Sequence, residues 1–224
     1  MEYLNDVNSI KFPQINFFED LIERKKNYLK IKYFLDKVFA LFILIIFSPL
    51  ILFTAFLVWL SKSGSIIFIH RRIGYLDKEF DMYKFRSMYS PEIYNPAPEL
   101  YEQVKQGNFD KRPNDPRITK IGRFIRKYSL DEFPQFWNVL KGEMSIVGPR
   151  PSEFYLSGTD YQRRIRTLVK PGITGLWQVS DRANCHISNM FIYDLKYIEN
   201  LNFILDLKIL LKTIIVVFKG KDAF

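Results

Sequence analysis

The sequence predicts an α+β chain, mostly helical, in which a broken membrane helix carries a small domain with one β-hairpin and interfacial helices. Three observations lead there. Val38 to Leu60 is an uncharged apolar run, longer than the ~20 residues a helix needs to cross a bilayer. Ile66 to Met88 reads as two strands about a turn, with apolar and polar residues alternating along Tyr83-Lys84-Phe85-Arg86, the period of a strand. Most of the remainder has helical spacing, ending in the apolar but lysine-bearing stretch Phe203 to Phe218.

In chain order, Phe17 to Lys37 mixes aromatic and basic residues, among them Arg24, Lys25, Lys26, Lys30, Lys32 and Lys37. Phe17, Leu21, Tyr28, Ile31 and Leu35 fall at helical spacing, so the stretch is either a solvated amphipathic helix or one lying on anionic headgroups. Residues 1–33 are therefore a basic amphipathic segment, 34–62 the membrane helix and 63–224 the domain. Ser48-Pro49 lies at the centre of the apolar run. A proline there removes one backbone hydrogen bond and kinks the helix. The freed carbonyl needs a partner in hydrocarbon, and the Ser48 hydroxyl is the candidate. Basic residues precede the run, and Lys62, Arg71 and Arg72 follow it. Because Lys and Arg favour the cytoplasmic side, this balance leans towards a re-entrant hairpin over a straight span.

The predicted hairpin turns around Gly74 to Glu79, with Lys84 and Arg86 on the opposite face from Tyr83 and Phe85. Tyr89 to Pro98 is a loop, and Glu99 to Gln106 a short helix. Asp115 to Lys127 is basic, with Ile118, Ile121 and Ile125 at helical spacing, and is a candidate anion cradle. Ser152 to Val169 reads as helix. Lys170 to Val179, rich in glycine, reads as a turn entering a short strand. Tyr193 to Asn200 and Phe203 to Phe218 read as helices, the last interfacial or packed because it carries Asp206, Lys208 and Lys212.

Composition narrows the function. With 33 Lys+Arg against 24 Asp+Glu the chain carries +9, which suits an anionic bilayer, phosphorylated substrates or nucleic acid. No recognised nucleic-acid module accompanies the charge, and the apolar run favours lipid. Cys185 is the sole cysteine, so no intrachain disulfide forms. Cys185 and His186 with His70 offer too few ligands for structural zinc.

The stretch with the most chemistry is Ser129-Leu130-Asp131-Glu132-Phe133-Pro134, followed downstream by Pro149-Arg150-Pro151. Two readings compete for Asp131 and Glu132. Ser129 and Glu132 match a helix-capping box, with Tyr128 and Phe133 as its staple; Pro134 fits that poorly. Alternatively, a carboxylate can attack phosphorus to give an acyl phosphate, while its neighbour holds a metal or accepts a proton. Arg150, between two prolines, can offer a bidentate fork to phosphate oxygens.

Here the chain resembles the bacterial sugar transferases, the monotopic polyprenyl-phosphate phosphoglycosyl transferases, in their short form. The resemblance runs from about Phe34 to the C-terminus. It is carried by Ser48-Pro49, Lys84 to Met88, Asp115 to Thr119, Ser129 to Gln135, Gly142 to Pro151 and Pro171 to Val179. It implies that a sugar 1-phosphate passes from a nucleotide-diphosphate sugar to a polyprenyl (undecaprenyl) phosphate, initiating a lipid-linked glycan. Asp131 would be the nucleophile, forming an aspartyl phosphosugar. Glu132 would be its partner, as metal ligand or base. Mg2+ would be the cofactor, on Asp131 and Glu132. Lys84, Arg126 and Arg150 would contact phosphates. The Ser48-Pro49 break would make the helix re-entrant, placing the domain on the cytoplasmic face of the bacterial inner membrane. One departure stands out: Asp181 replaces the usual glycine before Arg182. The rival reading is a non-catalytic basic membrane adaptor, which has no need of the Asp-Glu pair.

Overall fold

The computed structural model describes residues 15–93, 115–151, 160–180 and 187–219. The helix expected over Glu99 to Gln106, the first half of the one expected from Ser152, and Asp181, Arg182, Cys185 and His186 lie outside the described residues. The fold is mostly helical, as the sequence predicts. It opens with α1 (Ile15–Arg24), α2 (Lys26–Ile46) and α3 (Ser48–Leu60).

The apolar run is two helices. They meet at Phe47 with a bend of 66°, and among the described residues no single helix is long and apolar enough to cross a membrane. Pro49 sits in the first turn of α3, where its missing N–H would be unpaired anyway. The carbonyl four residues before Pro49 belongs to Ile45, and the Ser48 hydroxyl donates to it at 2.8 Å. The sequence motif thus supplies its own replacement bond at the break. Outward from this pair project Phe39, Phe42, Ile45, Ile46, Leu52, Phe53, Phe56 and Trp59, all more than half exposed. So much continuous exposed apolar surface marks an interaction or membrane face.

The hairpin forms as expected: β1 (Ile67–Ile73) and β2 (Glu79–Phe85) pair antiparallel, with Ile67 opposite Phe85 and Ile73 opposite Glu79. Helix α4 (Lys120–Lys127) follows, and the Thr119 hydroxyl caps it by accepting from the Gly122 amide at 2.7 Å. Gly122 lies directly on the main chain of Ser87, where a Cβ would overlap the Ser87 carbonyl. Gly122→Ala is therefore expected to push α4 off the hairpin, at about 1–3 kcal/mol for an overpacked contact. Chemical denaturation checks this, and a change within 0.5 kcal/mol of zero would contradict the contact.

After α5 (Gln135–Lys141), β3 (Ser145–Val147) pairs in parallel with β4 (Gly172–Thr174), with α6 (Asp160–Thr167) between them. The expected strand stops at Thr174. Leu176 onward is instead a short helix, α7 (Leu176–Ser180), which buries Trp177 and Gln178. Helices α8 (Ile187–Glu199) and α9 (Phe203–Lys219) complete the chain. The core gathers Val139, Met144, Ile146, Val147, Ile165, Ile198, Leu201 and Ile209 with Phe18 and Leu29 from the first two helices.

A second correction concerns the basic face expected on residues 17–37. Lys32 points inward and is 7% exposed. Its Nζ lies 2.9 Å from Asp206 of α9 and 3.4 Å from Asp36. Tyr28 and Tyr197 donate to the two Asp206 oxygens at 2.6 and 2.8 Å, and Ser145 donates to Asp36. Tyr197 also donates to the Val147 carbonyl at 3.0 Å. One buried polar cluster therefore ties α2 to α9 and to β3.

Candidate active site

Asp131 and Glu132 lie in a 3-10 turn, Leu130–Glu132, between α4 and α5. The capping box is not formed. Ser129 is left-handed (φ 53°) and makes no side-chain cap, and α5 begins only after Pro134. The staple is absent too: Tyr128 packs on Phe124, while Phe133 packs on Phe47 and Phe136. Proline explains this. Lacking an N–H, Pro134 cannot donate to the Leu130 carbonyl, so the chain tightens instead. Glu132 N–H donates to Ser129 and Phe133 N–H to Leu130, both one residue short of an α-helical bond.

The structure brings the expected cations to this turn. Lys84, at the end of β2, puts its Nζ 3.3 Å from Glu132 Oε1, and both side chains are largely buried. Arg150 reaches the same oxygen at 3.8 Å, and its guanidinium lies over the Trp177 ring, 5.7 Å from the centroid. Arg126, on α4, acts on Asp131 through its charge. Asp131 keeps some exposed surface, yet enough protein surrounds its carboxylate to hold it above the ordinary range. Burial is the main cause and the Glu132 charge adds to it, while Lys84 and Arg126 pull the other way. Burial likewise lowers the Lys84 ammonium, offset in part by Glu132. Arg117, from the expected cradle, is occupied elsewhere, clamped to Asp115 at 2.6 Å.

Two positioning features were not anticipated. Asn138 of α5 is fully buried and stitches α5 to β2. Its Oδ1 accepts from the Tyr83 amide at 3.1 Å, and its Nδ2 donates to the Asp81 carbonyl at 2.7 Å. This fixes Lys84, one residue along, against Glu132. Its only signal in the sequence is one amide in an otherwise apolar turn. The second feature is the Phe47–Phe133 contact, with ring centroids 5.6 Å apart, which sets the acidic turn against the break between α2 and α3.

Residues 27–220 match the family described as bacterial sugar transferase. The chain belongs to the bacterial sugar transferase family. It is therefore an enzyme of the transferase class, as its motifs lead one to expect. Among relatives, the exopolysaccharide production protein ExoY of Sinorhizobium fredii is 38% identical over 200 residues, which cover 84% of this chain and 86% of that one. The undecaprenyl-phosphate galactose phosphotransferase of Salmonella typhimurium is 41% identical over 214 residues, covering 92% of this chain but 44% of that protein. A sugar transferase of Bacillus subtilis, EpsL, is 40% identical over 186 residues, with 82% and 85% covered. This sugar transferase thus spans most of some relatives and under half of another.

Among the described residues, no group of three or more His, Cys, Asp or Glu side chains could enclose a metal ion. The adjacent Asp131 and Glu132 still suit Mg2+, which binds through one or two carboxylates and fills its remaining positions with water and substrate phosphate. Two neighbouring carboxylates, one of them raised by burial and then by the other's charge, are a donor set that gains from such a charge.

Proposed function

We propose that this sugar transferase moves a sugar 1-phosphate from a nucleotide-diphosphate sugar to a polyprenyl phosphate, through a phosphosugar held covalently on Asp131. The observation that carries the reading is the convergence of Lys84, Arg126 and Arg150 on the Asp131-Glu132 turn, itself packed on the break of the apolar helix pair. An Asp131 carboxylate oxygen attacks the β-phosphorus. The bond from that phosphorus to the bridging oxygen breaks, and the nucleoside monophosphate leaves. An oxygen of the polyprenyl phosphate then attacks the same phosphorus, and the carboxylate departs. Lys84 and Arg150 bear on the charge that spreads over the phosphoryl oxygens, while Glu132 holds those two cations in place. A Mg2+ ion on Asp131 and Glu132 would supply further positive charge to the donor's diphosphate. The names of relatives, undecaprenyl-phosphate galactose phosphotransferase and UDP-galactose-lipid carrier transferase among them, support this class of donor and acceptor.

The helix pair, in this reading, dips into the cytoplasmic leaflet and returns, leaving the acidic turn at the interface where a soluble donor meets a lipid acceptor. Incubating the purified enzyme with a panel of nucleotide-diphosphate sugars and no acceptor tests the chemistry. A phosphosugar adduct on the peptide bearing Asp131 is expected by mass spectrometry, and its chase by polyprenyl phosphate. No adduct without acceptor, together with full donor turnover once polyprenyl phosphate is added, would point to direct transfer instead. Topology is tested in a Cys185→Ser background with single cysteines at Lys30 and Lys62, both exposed. Both are expected to label from the cytoplasm only, and labelling of Lys62→Cys from outside would show a straight span.

A further inference from the structure

We infer that Asp194 and Arg166 are positioning residues for Arg150, holding the Pro149-Arg150-Pro151 turn so that its guanidinium stays over Trp177 and beside Glu132. The inference rests on the function proposed above in one respect, that Arg150 meets phosphate.

The turn needs outside support for a covalent reason. Its two prolines carry no N–H, so the turn is short of the main-chain donors that normally peg a strand end. The β3–β4 ladder reaches only its first residue: Gly148 N–H donates to Thr174 at 2.9 Å, and the Pro149 carbonyl accepts from Gly172 at 2.8 Å. Beyond that, the Arg150 carbonyl is held by a side chain, accepting from Arg166 Nη2 at 2.9 Å. Arg166 is held in turn by Asp194 of α8, whose Oδ2 lies 2.8 Å from Nε as an ion contact rather than an aligned hydrogen bond.

Charge explains why a carboxylate sits there. Asp194 is 1% exposed, and a carboxylate so deeply buried survives only with compensation. Burial raises it to about 6, while Arg166 and then Arg150 pull it back. Asp194 is thus within electrostatic reach of both guanidiniums, the counter-charge that lets Arg166 sit against the main chain of a second arginine. A pair that merely packed α6 against α8 would have no contact with residue 150. This one spends an Arg166 donor on the Arg150 carbonyl, and the head of Arg150 lies 3.8 Å from Glu132.

The test is a double-mutant cycle on the full-length enzyme in lipid nanodiscs, with nucleoside monophosphate release as readout. Asp194→Asn is expected to lower kcat/KM for the donor about tenfold, and Arg150→Ala further. The double variant is expected to match Arg150→Ala alone, because a residue acting through Arg150 has nothing left to position. Losses that multiply in the double variant would overturn the inference. A second readout does not depend on the reaction: hydrogen exchange in Asp194→Asn should quicken over 145–151 and stay unchanged over α5. Unchanged exchange over 145–151 would overturn it as well. If Asp131→Asn released nucleotide as fast as wild type, the proposed chemistry would fail, and the exchange measurement would still decide the positioning. Should Asp194→Asn not fold, Arg166→Lys carries the same readouts, since it keeps the charge facing Asp194 but loses the Nη2 donor.

Discussion

Asp131→Asn is expected to lose nucleoside monophosphate release by on the order of 10³-fold or more, the scale seen when a covalent nucleophile is removed. The substitution keeps the size of the side chain and its place in the 3-10 turn. It removes the carboxylate oxygen proposed to attack phosphorus, and an amide does not replace it. Stability should hardly fall and could rise, because Asp131 is a desolvated carboxylate beside a second one, a costly arrangement that folding alone does not require. Activity and stability therefore separate at this position. Glu132→Gln is expected to lose less activity but to disturb more structure, since Lys84 and Arg150 both lean on its Oε1. The checks are a nucleotide-release assay and thermal unfolding on the same preparations. An Asp131→Asn enzyme turning over at the wild-type rate would remove the covalent mechanism.

The largest effect on stability is expected at Asp206→Ala. Asp206 is 6% exposed and takes Lys32, Tyr28 and Tyr197 at 2.6 to 2.9 Å. Deleting it leaves the Lys32 ammonium with Asp36, the Tyr197 hydroxyl with the Val147 carbonyl, and takes the acceptor from Tyr28. Breaking a buried ion pair from one side costs roughly 3–5 kcal/mol, a large share of the ~5–15 kcal/mol that holds a typical domain together. Most of that loss should return in the double variant Lys32→Met with Asp206→Leu, which removes both charges and fills the space. Denaturation in detergent micelles gives both numbers. A single variant within 1 kcal/mol of wild type would mean that the cluster does not clamp α2 to α9.

The helix break, the hairpin and the acidic turn could all be read from local chemistry. A proline in an uncharged run breaks a helix wherever it sits, and the serine beside it is close enough to mend the lost bond. A turn followed by the period-two alternation of Tyr83 to Arg86 makes a strand pair legible by the same local rule. Asp131, Glu132, Lys84 and Arg150 could be picked out as candidates because each belongs to a short string of its own, and the fold brings them together. What those strings could not reveal is where a side chain points once helices pack. Lys32 read as one more cation on a basic helix and proved to be the centre of a buried cluster with a partner from α9. Ser129 read as a cap and proved to be a left-handed corner, since Pro134 removed the donor that a full helical turn needs. Asn138, Arg166 and Asp194 carry no motif, and each is defined by a contact with chain distant in sequence. The chemical groups, the apolar run and the local breaks follow from the residue string alone, because they depend on neighbours within a turn or two. Tertiary structure alone decided which charges are buried, what braces the Pro149-Arg150-Pro151 turn and why the Asp131-Glu132 turn sits against Phe47, because burial and long-range hydrogen bonds exist only between packed elements.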